Sequence, residues 1–146
     1  MTKPTLASRQ AALVAALVAG GPVPPGFDER LVGVAEQALR HKRAAQVAAV
    51  WPHLAASLGD RWIDRFTRWA RGRPTRGALR DGWDLAHELA LLGELPPLGR
   101  TELAVREVTA RYDGRSAPRP RRRPAIRVVP GGVVLGVFGR AYPLGG

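Results

Sequence analysis

The stretch 114–124 (GRSAPRPRRRP) does most to limit what this chain folds into. It holds five arginines and three prolines, with no acid and no large apolar residue. Such a segment has nothing to bury and is predicted to form no core element. Residues before it repeat their apolar side chains at helical spacing, whereas those after it read as strands. The chain therefore divides into a helical domain (1–113), a basic Pro-rich linker (114–125) and a β-hairpin appendage (126–146). Its 146 residues suit one domain plus an appendage, and an apolar fraction of 45% suffices for a modest core.

Five helices are predicted, with a short sixth segment. The first spans 8–19, capped by Ser8, with Ala12, Leu13, Ala16 and Leu17 on one stripe before Gly20-Gly21-Pro22 stops it. The second opens at Asp28, with Glu29 near its positive end, and runs to about Trp51. Leu31, Val34, Ala35, Ala38, Leu39, Ala45 and Val50 are read as its inward side. Arg40 and Arg43 share a face and form a candidate basic surface. Pro52 breaks this helix, and a short helix follows over 52–58. Asp60 is expected to cap a third helix (61–71) whose heavy face is Trp62, Phe66 and Trp69. Asp81 is expected to cap the fourth, which turns Leu85, Ala86, Leu89 and Leu92 inward. The fifth spans 101–112, with Glu102–Arg106 and Glu107–Arg111 as surface pairs. Beyond the linker, 126–129 and 133–138 form two strands about Pro130-Gly131-Gly132. The fold expected is mainly α: a five-helix bundle with a basic linker and a small C-terminal β-hairpin.

Charge is unevenly placed. Residues 1–113 carry 16 basic side chains against 12 acids, whereas 114–146 carry seven arginines and no acid. A basic tail favours an acidic partner: protein, nucleic acid or headgroup. No apolar run approaches the roughly 18 residues that span a bilayer, and the apolar stretch 11–20 continues into a globular helix rather than a signal peptide. The lack of cysteine excludes disulfides and thiol chemistry and suits a reducing cytoplasm, the expected location.

Little here resembles an active site. Asp84-x-x-His87 has the one-turn spacing of a di-iron ligand pair, but no second carboxylate-x-x-His accompanies it. Neither Ser57 nor Ser116 lies in a nucleophile elbow, and no phosphate-cradling loop precedes a Lys-Ser/Thr. The chain is read as non-catalytic and without a cofactor. The tryptophans at 51, 62, 69 and 83 are read as core, with Trp51 and Trp83 partly exposed because they flank helix breaks.

The order of landmarks then becomes informative: a first helix with RQAALVAALVAG, Val50-Trp51-Pro52-His53-Leu54, Leu58-Gly59, the Trp62/Phe66 helix, Gly82-Trp83-Asp84-Leu85-Ala86-His87-Glu88-Leu89 and Glu107. Together they resemble a helical domain family once labelled DNA-binding, which accompanies multinuclear non-haem iron oxidases, including the partner subunit of methanobactin biosynthesis. An actinobacterial version forms the C-terminal part of such oxidases. Trp stands where that family has Phe in the aromatic-Pro element, and Trp83 and Leu85 depart from its Gly-x-x-Phe element. The resemblance implies an accessory subunit that partners the oxidase and helps hold a ribosomally made precursor peptide. It carries no iron ligand onto this chain. Two features offer a means of capture. Val128, Val129, Val133, Val134 and Leu135 are candidates for an edge that takes up an extra strand. Arg119, Arg121, Arg122 and Arg123 are candidates for attracting an acidic leader or oxidase surface. The alternative is a DNA- or RNA-binding protein acting through the same basic tail.

Overall fold

A computed structural model describes residues 2–145; Met1 and Gly146, the outer limits of the expected units, lie outside the described residues. The chain is mainly α with a small antiparallel sheet. Among the described residues six α-helices follow in order: α1 (Leu6–Ala19), α2 (Glu29–Val50), α3 (Pro52–Leu58), α4 (Trp62–Ala70), α5 (Ala78–Leu91) and α6 (Pro97–Thr109). Five short strands complete it: β1 (Ala110–Arg111), β2 (Arg119–Pro120), β3 (Ala125–Val129), β4 (Gly132–Val137) and β5 (Arg140–Leu144). No helix among the described residues is long and apolar enough to cross a membrane.

Local chemistry explains the ends of α1 and α2. Asp28 caps α2 by accepting from the Arg30 amide at 2.9 Å. Gly20 ends α1 in the left-handed region at φ 68°, which costs glycine little. Thr5, not Ser8, caps α1, because the helix begins two residues earlier than expected and the Thr5 hydroxyl meets the Ser8 amide. Asp60 falls in a 3-10 turn, Gly59–Arg61, and α4 has no side-chain cap. Pro52 ends α2 and opens α3, where its missing N–H costs nothing. The cap of α3 comes from across the fold: the buried Glu102 carboxylate of α6 accepts from the Leu54 amide at 2.6 Å. The expected i,i+4 pair with Arg106 forms at 3.7 Å, but Glu102 is buried rather than on the surface.

The main core lies where α2 to α6 meet, filled by Trp51, Leu54, Phe66, Trp83, Leu85 and Leu89. Trp51 and Trp83 are fully buried, contrary to the expectation that helix breaks expose them, and their rings meet edge to face at 5.8 Å. The Trp51 indole N–H donates to the Leu79 carbonyl at 3.0 Å. Gly82 makes that seat possible: a methyl group at residue 82 would lie 2.2 Å from the Trp51 ring.

Asp81 is not an N-cap. It lies inside α5, which starts at Ala78, and is buried. Its carboxylate accepts from Arg43 Nε (2.7 Å), the Thr75 hydroxyl (2.8 Å) and the Arg76 amide (3.0 Å), so it fastens α2 and the preceding loop to α5. Arg43, expected on a basic surface with Arg40, is consumed by this contact, while Arg40 pairs with Glu36 on its own helix.

The C-terminal unit is a three-stranded sheet ordered β3-β4-β5 rather than a two-stranded hairpin. Residue 138 belongs to the β4–β5 turn, since Phe138 has φ 50° and Gly139 φ 75°. One face of the sheet packs on α6 through Val134, Val129 and Ala125 against Val108 and Ala104. Burial of a valine of this kind contributes about 1.5–3 kcal/mol. The approach is close: a Cβ at Gly136 would lie 2.2 Å from the Val108 carbonyl oxygen. The 114–125 segment is not a free linker either. Its β2 pairs with β1, and its backbone carbonyls at Gly114 and Arg115 accept from Arg76 and Arg80 of the helical part.

Candidate functional site

The chemistry that is exposed and unused gathers at the end of α6. There the chain passes from helix to β1, turns at Asp113, returns as β2 and enters the sheet. Asp113 shapes that turn by accepting from the Arg115 and Ser116 amides at 2.8 and 2.7 Å. The same two bonds hold its carboxyl below the ordinary aspartate range. The Arg121 amide donates to the Thr109 carbonyl, and its guanidinium Nε to the Glu107 carbonyl. These bonds fold 119–123 beside Arg111, giving a groove of about 700 Å³ lined by Pro120 and by Arg111, Arg119, Arg121, Arg122 and Arg123. None of those five guanidiniums is in an ion pair among the described residues. The structure thus brings four expected arginines together and adds Arg111, which sequence reading gave to a helical ion pair with Glu107.

Glu107 is engaged elsewhere. Its carboxylate holds His87 Nε2 at 2.9 Å and Arg127 Nε at 2.8 Å, joining α5, α6 and β3. The hydrogen bond from His87, and then Arg127, keep the Glu107 carboxyl below its ordinary value of 4.5 despite partial burial. A carboxyl lowered on folding stabilises the fold above its unfolded pKa, and that contribution disappears as pH falls through the folded value. Glu107→Gln should therefore cost about 1 kcal/mol near pH 7, a modest figure because His87 and Arg127 are partly exposed. Urea titrations should show the gap from wild type closing between pH 5 and pH 3; a gap constant with pH would count against the triad.

Asp84, the other half of the Asp-x-x-His spacing, faces a different partner set. It accepts from Tyr112 at 2.8 Å and from Arg76 Nη2 at 2.5 Å. Burial and this bond push the Tyr112 phenol up, and the bond to Asp84 raises Arg76. Asp84 and His87 therefore do not converge, and no group of three or more His, Asp or Glu suited to a metal occurs among the described residues.

The sheet supplies the second part of the site. Strand residues alternate between faces, so the five expected contact residues cannot all point one way. Val129 and Val134 face α6 and leave the candidate set. Val128, Val133 and Leu135 face away from α6. Register aligns them in two rows, Ile126–Leu135–Tyr142 and Val128–Val133–Leu144. Val128 is 84% exposed.

Edge chemistry follows from the turns. Two residues, Pro130 and Gly131, separate the paired Val129 and Gly132, so that pair exchanges hydrogen bonds and alternate pairs do so thereafter. The amides and carbonyls of Ile126 and Val128 therefore point outward from β3, where no strand is paired among the described residues. By the same count Ala141 and Pro143 point outward from β5, and Pro143 has no N–H to offer. Of the two edges, β3 alone has an N–H at both outward positions; its Ile126 carbonyl accepts from Arg127 Nη1 at 3.0 Å, and the arginine groove immediately precedes the strand. The alternation rule and a turn at Pro130-Gly131 were legible in the sequence, but Gly132, expected in the turn, is the first residue of β4, and the third strand was not foreseen.

The fold is a small helical bundle that carries a docked three-stranded antiparallel sheet, with β3 and β5 as its edges. Residues 7–91 match the family described as SCO6045-like, C-terminal domain, and the chain belongs to that family. It is also 41% identical over 124 residues to a UPF0276 protein of Streptomyces avermitilis, a match that takes in 84% of this chain and 25% of the relative. The chain thus spans about a quarter of the length of that curated relative. No solved structure matches it.

Proposed function

We propose that this chain is a non-catalytic partner of a UPF0276-type protein, taken from the resemblance above to be a multinuclear non-haem iron oxidase. In this reading it captures a ribosomally made precursor peptide for modification. The observation that carries the reading is the open β3 edge, with the outward Ile126 and Val128 backbone groups, flanked by the arginine groove. An extended peptide added there gains backbone hydrogen bonds, rests apolar side chains beside the two rows and runs its acids past Arg119, Arg122 and Arg123.

Val128→Pro removes one outward donor and leaves the β4 ladder intact. It should weaken binding of a labelled extended peptide of alternating acidic and apolar residues about tenfold, or ~1.4 kcal/mol, by fluorescence anisotropy. Reversing Arg119, Arg122 and Arg123 to Glu should weaken it further at low salt than at high salt. Unchanged affinity for both variants, with unchanged thermal melts, would end the strand-addition reading. The groove also favours nucleic acid. That reading predicts duplex or single-stranded DNA binding that falls steeply with salt and ignores Val128→Pro.

A further inference from the structure

Strands β1 and β2 meet in two residue pairs, and one of them sets Arg111 directly opposite Arg119. Two steps before it, the Arg121 amide donates to the Thr109 carbonyl. Bonded pairs alternate along an antiparallel ladder, so Arg111 and Arg119 are again a bonded pair, with their side chains on one face. Like charges placed this way repel and weaken a ladder. The surrounding acids are engaged elsewhere. Every acid between residues 64 and 107 already pairs with an arginine outside this ladder. Asp113 turns its carboxylate to the Arg115 and Ser116 amides. At the negative end of α6, the Glu107 and Thr109 carbonyls accept from Arg121. Arg111 and Arg119 are thus left facing each other with no carboxylate of the chain between them.

Both line the groove of about 700 Å³, together with Arg122 and Arg123. A phosphate suits this pair better than a carboxylate. A carboxylate has two oxygens, which a single guanidinium fork satisfies, whereas a phosphate has the oxygens and the charge to bridge two forks. The groove has room for a second phosphate toward Arg122 and Arg123. No aromatic side chain lines it among the described residues, so nothing there stacks on a base. We infer that Arg111 and Arg119 are the centre of a binding site for a diphosphate group, with Arg122 and Arg123 taking its second phosphate. The bound anion replaces a repulsion with charge-assisted hydrogen bonds and fastens β1 to β2. A second hollow, of about 380 Å³, also touches Arg111 and Arg119, but Asp113 lines it and repels an anion there. The site stands whether or not a peptide adds to β3, and a bound diphosphate excludes peptide acids from Arg119, Arg122 and Arg123.

Calorimetry of the full chain with inorganic diphosphate, in a low-salt buffer free of phosphate, tests this. One diphosphate should bind per chain. Arg111→Ala should weaken it about tenfold, the usual loss for a charge-assisted hydrogen bond. Arg111→Lys keeps the charge without the fork and should also bind more weakly than wild type. Arg140→Ala removes an exposed charge outside the groove and should bind as wild type does. Equal losses from Arg111→Ala and Arg140→Ala would mean that net charge alone attracts the anion. No binding by wild type would overturn the site outright. Adenosine diphosphate separates the sources: affinity equal to or below that of inorganic diphosphate marks the free group as the ligand, and tighter binding marks a nucleotide. Binding of a DNA oligonucleotide with neither diphosphate ligand bound would replace the site with an extended nucleic-acid surface. Thermal melts give a second readout. Without ligand, Arg111→Ala should melt no lower than wild type, because it removes a repulsion from the ladder. Diphosphate at ten times its wild-type Kd should raise the wild-type melting temperature by about 4 °C and that of Arg111→Ala by about 1 °C. Equal rises in the two proteins would place the anion elsewhere and end the proposal.

Discussion

Arg43→Met should destabilise the fold by about 3–5 kcal/mol, the usual cost of leaving a buried charge without its partner. The Asp81 carboxylate is almost completely out of solvent, and Arg43 is the charged donor that reaches it, at 2.7 Å. Thr75 and the Arg76 amide remain in the variant, but neither carries charge. Arg43 also donates to the Arg73 carbonyl at 2.6 Å, and its guanidinium lies 5.7 and 5.5 Å from the Phe66 and Trp69 ring centroids. One side chain therefore ties α2 to α4, to α5 and to the loop between them. At roughly 3 °C per kcal/mol for a chain of this size, the melting temperature should fall by about 10 °C. The double variant Arg43→Met/Asp81→Leu should recover much of the loss, because removing both charges leaves no uncompensated group. A single-variant cost under 1 kcal/mol in urea denaturation would mean that solvent reaches Asp81.

This pair also shows where sequence reading stops. Local signals placed the helix ends well: Asp28, Pro52 and Gly20 act through neighbours a few residues away. Asp81 also has the residue type of a cap, but what it holds lies 38 residues back on another helix. Trp51 and Trp83 were read as partly exposed because they flank breaks. Trp51 instead enters the core at the break, and Trp83 lies within α5 rather than beside a break, on the face that meets the same core. For α2, periodicity correctly marks an amphipathic helix. The side read as inward is not the buried one, however: Leu31 and Val34 are exposed, and Val32, Ala44 and Val47 are buried. The third strand escaped notice because Arg140–Leu144 contains Pro143 and lacks alternation; pairing with β4 alone makes it a strand. The arginines of the linker were legible as a charge cluster, whereas their groove depends on Arg121 meeting backbone carbonyls of α6.

Gly82→Ala carries an unusual expected sign. In a helix interior this change ordinarily gains about 1 kcal/mol from propensity. Here the added methyl would lie 2.2 Å from Cδ1 and 2.4 Å from Nε1 of Trp51. The ring cannot easily yield. Its N–H is bonded to Leu79, Trp83 abuts it edge to face, and the Arg106 guanidinium sits 4.1 Å above its centroid. We expect Gly82→Ala to cost about 3 kcal/mol, the upper end of the usual overpacking range. Trp51→Ala should cost about 3–5 kcal/mol through lost burial and the cavity left behind. The two effects should not add. With the ring gone the methyl projects into vacant space, so Gly82→Ala in the Trp51→Ala background should be nearly neutral. The coupling should then be at the upper end of the 0.5–3 kcal/mol seen for contacting residues. Urea denaturation of the wild type, both single variants and the double variant measures it directly. Additive costs would show that Trp51 and Gly82 are not in contact in solution. The aromatic-Pro and Gly-Trp elements that first suggested a family would then need a reason other than packing on each other.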